Sequence, residues 1–287
     1  MPKGGAFLTY KTILYEPGRV ARVILNRPER LNAQSWRLLA EMEEAFNEAV
    51  ADPECRVIIL SGAGRSFSAG HDLDSPDQIV ERRERSQGLD SFARTGLNKD
   101  VYVDSHLRWR DLPKPTIAMV HGYCIYGGWM IASAMDFIFA ADDALFIPTY
   151  GDYFTTNWDV GARKAKEILF GNEFMTAREA MTWGFVNRVI PAADLERETL
   201  KYANRVAEHD PFTIRTIKFA INQAMDGMGF TQSVRSVGSS FLRPPAPPRP
   251  QETPPTPASP PEGAFRNQVA RAIRYLSEDG KKTDSPA

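Results

Sequence analysis

The chain has 287 residues, of which 43% are hydrophobic and 25% charged, the composition of a globular protein that can bury a sizeable core. Its 35 basic and 36 acidic residues leave a formal net charge of −1. No overall field therefore favours nucleic acid or an anionic membrane, and a small molecule is the expected partner. Because no apolar stretch approaches the roughly 18 residues of a membrane span and the first residues lack a signal-peptide core, we expect a cytoplasmic protein.

The two cysteines, Cys55 and Cys124, are too few for a disulfide framework or a cysteine zinc site. Each lies among apolar residues, so we predict that both are buried. His106 has no partner histidine or cysteine at metal-ligand spacing, and we predict a packed or surface side chain there. The sequence therefore predicts no metal site.

The first third of the chain predicts strands around one helix. Residues 7–15 and 20–25 form the predicted strands of a hairpin. A polar loop at residues 26–33 follows, then a helix that Ser35 can cap. Residues 56–61 are a continuous apolar run, which is typical of a strand covered on both faces. Strand, helix and strand together predict a crossover between parallel strands.

A loop of small residues, 62–73, follows the last of these strands, where α/β folds usually bind ligands. Its spacing matches neither a dinucleotide-binding fingerprint nor a P-loop. Ser66 stands where a nucleophile elbow around Ser68 would need its first glycine, which argues against a serine hydrolase. Residues 77–100 mix charges of both signs, which is typical of a solvated helix face or a flap.

Residues 114–136 predict a buried strand, a turn and a helix that opens near Gly127 and Gly128. Backbone N–H groups at a helix N-terminus lack intrahelical partners and carry partial positive charge. Such a position can hold an anion or a developing oxyanion. The alternative is that the glycine pair only makes a tight turn.

Asp159 lies between Trp158 and Val160, where partial desolvation would raise its pKa and suit it to proton transfer. The alternative is that it caps the following helix, which is predicted to end near Gly171. Further strands are predicted at residues 137–141, 145–147 and 186–190, and a capping box at residues 176–179. From residue 193 onward we predict helices and no further strand.

The C-terminal part contains ten of the 21 prolines between residues 244 and 261, which predicts an extended linker. We therefore divide the chain into a layered core at 1–192, a helical oligomerisation segment at 193–243, a Pro-rich linker at 244–262, and a C-terminal helix and tail at 263–287.

Three motifs together resemble the crotonase superfamily, the enoyl-CoA hydratase and isomerase family, over about residues 7–221. They are Asn26-Arg-Pro with Leu31-Asn-Ala33, Ser66-Phe-Ser-Ala-Gly-His-Asp-Leu73, and the segment from Lys114-Pro-Thr through Gly127-Gly128 to Asp136. The resemblance implies an α/β fold, a crotonase-like ββα superhelix with a C-terminal helical segment, assembled as a homotrimer or homohexamer.

The resemblance also implies an acyl-CoA substrate, no cofactor beyond the CoA of that substrate, and an oxyanion hole made by the backbone N–H groups of His71 and Gly127. Two preorganised donors stabilise the negative charge that a thioester enolate places on its carbonyl oxygen. The His71 imidazole either faces the pocket or lies on the surface. By the same resemblance, the residues that bind substrate are Asn32, Ala33, Ala69, Asp72, Leu73, Asp74, Tyr126 and Met130.

The chain departs from the hydratase pattern at both catalytic glutamates. Met130 occupies the position of the first, and the second would fall near Thr149 or Tyr150. A hydratase mechanism, in which two carboxylates hold the attacking water between them, is therefore not supported. Tyr126 replaces the usual third glycine, so its phenol is expected in the acyl pocket.

With one residue of insertion, Asp159 falls where dienoyl-CoA isomerases keep a catalytic aspartate and 4-chlorobenzoyl-CoA dehalogenases a nucleophilic one. We expect an acyl-CoA lyase or isomerase of the enoyl-CoA hydratase/isomerase family in which Asp159, with Tyr150, transfers protons. One alternative is a hydrolase or dehalogenase with Asp159 as nucleophile. Another is a non-catalytic crotonase-fold protein that binds a partner through its Pro-rich segment.

Overall fold

The structure, a computed structural model, describes residues 10–149 and 151–237, except the side chains of residues 91 and 92. The strands are β1 (Ile13–Glu16), β2 (Val20–Leu25), β3 (Val57–Gly62), β4 (Thr116–Val120), β5 (Tyr123–Ile125), β6 (Phe137–Ala141), β7 (Leu145–Ile147), β8 (Met175–Thr176) and β9 (Arg188–Ile190). The α-helices are α1 (Trp36–Ala51), α2 (Pro76–Ser86), α3 (Ser91–Lys99), α4 (Ser105–Arg110), α5 (Gly127–Ser133), α6 (Thr156–Asp159), α7 (Ala162–Gly171), α8 (Ala177–Thr182), α9 (Leu195–Ala207), α10 (Pro211–Gly227) and α11 (Phe230–Val237). A π-helix, Asp100–Asp104, joins α3 to α4, and short 3-10 helices lie at Pro28–Arg30 and Ala192–Asp194.

Two sheets carry the fold. The larger has the strand order β1-β2-β3-β4-β6-β9, in which β1 and β2 pair antiparallel and every other pair is parallel. The smaller has the order β5-β7-β8, with β5 parallel and β8 antiparallel to β7. The predicted hairpin and the predicted crossover from β2 through α1 to β3 are both confirmed. The strands predicted on either side of residues 142 and 143 belong to different sheets.

The local helix signals also behave as predicted. The Ser35 side chain accepts a hydrogen bond from the backbone of Leu38 in the first turn of α1. Thr176 and Glu179 exchange both hydrogen bonds of a capping box at the start of α8. These caps satisfy backbone donors that a helix N-terminus leaves free, so short sequence signals suffice to place the two helices.

Helices cover the large sheet on both faces. The buried side of α1, through residues such as Met42 and Phe46, belongs to the main core, which also contains α5. On the other face, Ile59 and Phe139 pack in a second cluster with Ala203 of α9. Strands covered on both faces are continuous apolar runs, which explains the sequence of β3.

The helices after residue 193 form the C-terminal segment, and no strand follows in the part of it that the structure describes. Helix α10 has no buried residue and exposes Phe212 and Phe219, and Met228 at its C-cap is also exposed. Two ion pairs hold it to the core: Lys218 Nζ lies 2.8 Å from Asp136 Oδ2, and Arg110 Nη1 lies 3.1 Å from Asp226 Oδ1. The predicted linker at 244–262 and the predicted helix at 263–287 lie outside the described residues.

Cys55 and Cys124 are buried free thiols, as predicted. Burial raises the pKa of both, so neither is activated as a thiolate. Within residues 10–149 and 151–237, no helix is long and apolar enough to cross a bilayer.

Candidate active site

Two loops meet at the N-terminus of α5. The loop after β3 runs beside β5, because Ser68 N donates to Tyr123 O at 2.9 Å and Ile125 N donates to Ser68 O at 3.1 Å. One residue earlier in the same loop, Phe67 N donates to His121 O at 2.8 Å. These long-range bonds join the two motifs that the sequence shows as separate loops.

The predicted oxyanion donors lie together at this junction. Gln34 N donates to Gly70 O at 2.7 Å and Asp72 N donates to Gln34 O at 3.0 Å, so the intervening N–H of His71 points away from Gln34. Gly127 begins α5, so its N–H has no intrahelical partner. Neither N–H is hydrogen-bonded to any of the residues described. The backbone therefore presents two free donors from adjoining loops.

The glycines allow this close approach. A Cβ on Gly70 would lie 3.0 Å from Gly127 N, and one on Gly128 would lie 2.6 Å from Ser68 O. A Cβ on Gly127 would lie 2.6 Å from His71 Cδ2. Real Cβ atoms do not approach so closely, so the glycine pair does more than make a tight turn.

Tyr126 has φ +50° and ψ −110° at the N-cap of α5. Such a backbone conformation costs a residue with a side chain on the order of 1–3 kcal/mol. This explains why a glycine suits the position. Tyr126 is half-buried, and the expected entry of its phenol into an acyl pocket stays a prediction.

The His71 imidazole packs inward. Its ring centroid lies 4.3 Å from that of Tyr102, and Nε2 is buried with no partner among the described residues. Burial lowers the pKa of His71 to about 4, and the positive charge of Arg82 adds to this effect. The ring is therefore neutral near pH 7.

The predicted substrate loop contains a rigid frame and an exposed edge. The Asn32 amide donates to Ala63 O at 2.9 Å and to Ser66 O at 2.8 Å, which ties two loops together. Asp72 is buried 2.7 Å from Arg27 Nη1. Burial raises the pKa of Asp72, but hydrogen bonds from Ser75 and the charge of Arg27 outweigh it, so the pKa is lowered.

The exposed edge is formed by Leu73, which is 69% exposed, and Asp74. Ala33 and Ala69 are half-buried beside it. This edge is the accessible part of the predicted CoA site, whereas Asn32 and Asp72 hold its shape.

The glutamate positions carry no acid in the structure. Met130 is fully buried in the main core, and Thr149 is half-buried and accepts a hydrogen bond from Gly151 N. Tyr150 lies outside the described residues, so its predicted catalytic role stays a prediction.

Asp159 is the last residue of α6, and the next helix, α7, has Gly161 at its N-cap. The alternative that Asp159 caps this helix is therefore wrong. Its Oδ2 accepts hydrogen bonds from Trp129 Nε1 at 3.0 Å and Thr155 Oγ1 at 2.7 Å. Burial raises the pKa of Asp159 to about 7, although these two bonds lower it in part. The carboxyl group is thus fixed in orientation and able to change protonation near neutrality.

Asp159 lines a cavity of about 480 Å³ beneath α10. Ser133, at the end of α5, lines the same cavity, as do Ile217 and Met225 of α10. Gly127 begins α5, and its seven residues span roughly 9 Å from the first to the last. The structure therefore brings His71 and Gly127 together, and it places Asp159 in hydrogen-bond contact with Trp129, the third residue of the same helix, and in one cavity with Ser133, its last residue.

Sequence reasoning missed Trp129 and Thr155 as partners of Asp159. The i,i+4 spacing of Thr155 and Asp159 is a signal that they share a helix face. No comparable signal joins Trp129 to Asp159, since the two are separated by β6 and β7.

The fold has two sheets whose loops meet at the start of α5, where two backbone N–H groups are free among the described residues. The sequence profile of the family described as enoyl-CoA hydratase/isomerase matches residues 16–238. The chain therefore belongs to the enoyl-CoA hydratase/isomerase family, of the crotonase superfamily, and the predicted fold class is confirmed.

Individual relatives agree with this assignment. A Mycobacterium tuberculosis protein named as an enoyl-CoA hydratase, EchA13, is 37% identical over 255 residues, which are 81% of this chain and 79% of that protein. The structure of an enoyl-CoA hydratase from Mycobacterium thermoresistibile is 40% identical, with TM-score 0.69 over 79% of this chain and 93% of that chain. An enoyl-CoA hydratase/isomerase from Xanthobacter autotrophicus Py2 is 31% identical, with TM-score 0.72 over 97% of this chain and 100% of that chain.

Proposed function

We propose that the protein acts on an acyl-CoA thioester and stabilises its enolate on the N–H groups of His71 and Gly127. The observation that carries the proposal is the meeting of these two free donors at the start of α5. Both are backbone groups held by packed loops, so they need no reorganisation as charge develops. The proposed reaction uses no cofactor besides the CoA of the substrate.

The proton-transfer group that we propose is Asp159, in an isomerase or lyase step. A pKa of about 7 allows the same carboxyl to accept and to donate a proton near neutrality. Trp129 and Thr155 both bind Oδ2, which leaves Oδ1 for a substrate proton. Tyr150 remains a proposed assistant in this step.

Exchange of substrate α-hydrogens for deuterium tests the proposed enolate. Nuclear magnetic resonance would follow acyl-CoA thioesters in D₂O, with Gly127→Ala compared against wild type. We expect the exchange rate to fall on the order of a hundredfold, because the new Cβ displaces one donor. Gly96→Ala is the matched control, since a Cβ there meets nothing within 4 Å. Equal exchange in wild type and Gly127→Ala would contradict the proposal.

The rival mechanism makes Asp159 a nucleophile in a hydrolase or dehalogenase. An acyl or aryl ester on Asp159, trapped during turnover and found by mass spectrometry, would support it and exclude proton transfer by the same oxygen.

The burial of Met130 where an acid is expected favours a third possibility, a non-catalytic binding protein. Acyl-CoA binding without exchange or turnover across a panel of thioesters would support this third possibility.

We also propose that the protein forms a homotrimer or homohexamer through α10. The exposed Phe212 and Phe219 on a helix without buried residues, and the exposed Met228 at its C-cap, support this proposal, since such apolar patches mark interaction surfaces. Light scattering after gel filtration should show an oligomer that Phe219→Glu dissociates. A monomeric wild type would refute it.

A further inference from the structure

One side of α10 is an apolar stripe that lines a cavity instead of packing closely against the core. Ile214, Ile217, Ile221 and Met225 follow one another at helical spacing, and all four line the cavity of about 480 Å³ beneath the helix. Ile217 is 51% exposed and Ile221 is 57% exposed. An amphipathic helix normally buries such a stripe, so the apolar surface of the α10 stripe is available to a ligand.

The residues that we propose as oligomer contacts lie on the other side of α10. Phe212 and Phe219 are close to two full turns apart and so share one side of the helix. Phe219 is two residues from both Ile217 and Ile221, which places it about 160° from each around the helix axis. Neither phenylalanine lines the cavity. An oligomer formed through these two rings would therefore leave the α10 stripe free.

The core also contributes mainly apolar residues to the cavity. Met135, Phe137, Val206 and Phe230 all line it. Its volume lies within the range of roughly 300–1,000 Å³ that is usual for small-molecule sites, which are themselves mostly apolar with a few placed polar groups. The size and lining of the cavity therefore suit a hydrocarbon group.

The lysine and the arginine that line the cavity are already paired. Lys218 Nζ lies 2.8 Å from Asp136 Oδ2, and Arg110 Nη1 lies 3.1 Å from Asp226 Oδ1. His209, which also lines the cavity, is exposed, so solvent screens its interaction with a charge on a ligand. A carboxylate that entered the cavity would have to break one of the two ion pairs to gain a desolvated partner.

Asp159 supplies a reactive carboxyl group to these apolar surroundings. Its side chain lines the cavity and is half-buried. Trp129 and Thr155 both bind Oδ2, whereas Oδ1 has no hydrogen-bond partner among the described residues and remains accessible. A substrate that exchanges a proton with Oδ1 therefore places its reacting carbon in this cavity.

We propose that the cavity beneath α10 binds the hydrocarbon part of the acyl group, and that Ile217, Ile221 and Met225 determine which acyl groups the protein accepts. The substrates are then thioesters of uncharged, medium-chain apolar acyl groups. Such a chain removes the α10 stripe from water, whereas an acyl group with a second carboxylate would lose hydration without gaining a free cation. This inference rests on the proposed acyl-CoA function, and it specifies the acyl group.

Calorimetry with saturated acyl-CoA thioesters tests the preference, because these ligands have no double bond to isomerise. From butyryl-CoA through hexanoyl-CoA and octanoyl-CoA to decanoyl-CoA, we expect the affinity to rise about threefold for each methylene that enters the cavity. Adipoyl-CoA has the chain length of hexanoyl-CoA and a terminal carboxylate, and it should bind about tenfold or more weakly than hexanoyl-CoA. Affinity that is independent of chain length, or equal affinity for adipoyl-CoA and hexanoyl-CoA, would overturn the proposal.

Two variants assign the preference to the α10 stripe. Ile221→Trp and Met225→Trp each place a larger side chain in the cavity, so each should lower the affinity for decanoyl-CoA about tenfold more than the affinity for butyryl-CoA. Gln223→Trp is the matched control, because Gln223 is exposed on the same helix and does not line the cavity. It should bind every ligand as wild type does. If Met225→Trp does not fold, Ile221→Trp gives the same comparison at a position that is already 57% exposed.

Failure of the proposed function gives a different result. In that case no acyl-CoA binds at any chain length. If all chain lengths bind equally well, or if both tryptophan variants keep the wild-type preference, the acyl-CoA function stands and the role of the α10 stripe is wrong.

Discussion

Replacing Asp159 by asparagine should remove a defined part of the pH dependence of stability. The folded pKa is about 7 and the ordinary value is 3.8. Between these values the folded state keeps a proton that the unfolded state releases. The free energy of unfolding therefore falls as the pH rises from about 4 through 7, and this contribution is lost by about pH 8. Asparagine does not titrate, and its oxygen can still accept from Trp129 and Thr155.

The expected size follows from the linkage of one proton. Between pH 5 and about pH 7, Asp159 of wild type is protonated in the folded state and ionised in the unfolded state. Each of these two pH units lowers the free energy of unfolding by about 1.4 kcal/mol. Wild type should therefore lose roughly 2 to 3 kcal/mol more than Asp159→Asn over this range. The titrations of His71 and His106 are present in both proteins and cancel in the difference.

Urea denaturation at pH 5 and pH 8 measures this difference directly. Asp143→Asn, at an exposed turn, serves as the control and should follow wild type. If wild type and Asp159→Asn lose the same free energy of unfolding between the two pH values, Asp159 is ionised throughout. The proposed acid and base role would then lose its basis.

Three further changes test other contacts. Gly70→Ala should lower the free energy of unfolding in urea by about 1–3 kcal/mol or more, because φ is +90° and the new Cβ would lie 2.8 Å from Ile125 O. Gly88→Ala is the control, because Gly88 also has a positive φ but lies in open space. This control should lower the free energy of unfolding by less. Trp129→Phe should raise the pKa of Asp159 further, since it removes a hydrogen bond that favours the ionised form, and the pH midpoint of the stability difference should move upward. Thr176→Ala should cost about 1 kcal/mol in thermal unfolding through loss of the capping box, and an unchanged melting temperature would contradict that contribution.

The sequence predicted the elements whose causes are local. Ser35 and Thr176 begin helices because their side chains bond to the next turn, and the apolar run of β3 predicts a strand whichever neighbours it has. The proposed pairing of His71 with Gly127 came from the resemblance of three motifs to a family, and the structure shows that close backbone packing requires the glycines at Gly70 and Gly127. The cap and strand signals each lie within a few residues of the structure that they predict.

The missed features depend on contacts between distant segments. β5 is only three residues long and is stabilised by β7 and by the loop at Ser68. The orientation of Asp159 depends on Trp129, thirty residues earlier. The π-helix before His106 has no local sequence rule comparable to a cap or a turn. Residue spacing indicated that Asp159 could be functional, but only the packing shows that it contacts Trp129 of α5.

The use of peptide N–H groups as the proposed oxyanion donors affects how this protein can change over generations. A codon change can replace the His71 side chain, but every residue except proline keeps the peptide hydrogen at that position. Gly70 cannot be replaced in this way, because any side chain there would collide with the neighbouring backbone. New reactions can therefore arise by exchanging side chains around a persistent pair of donors.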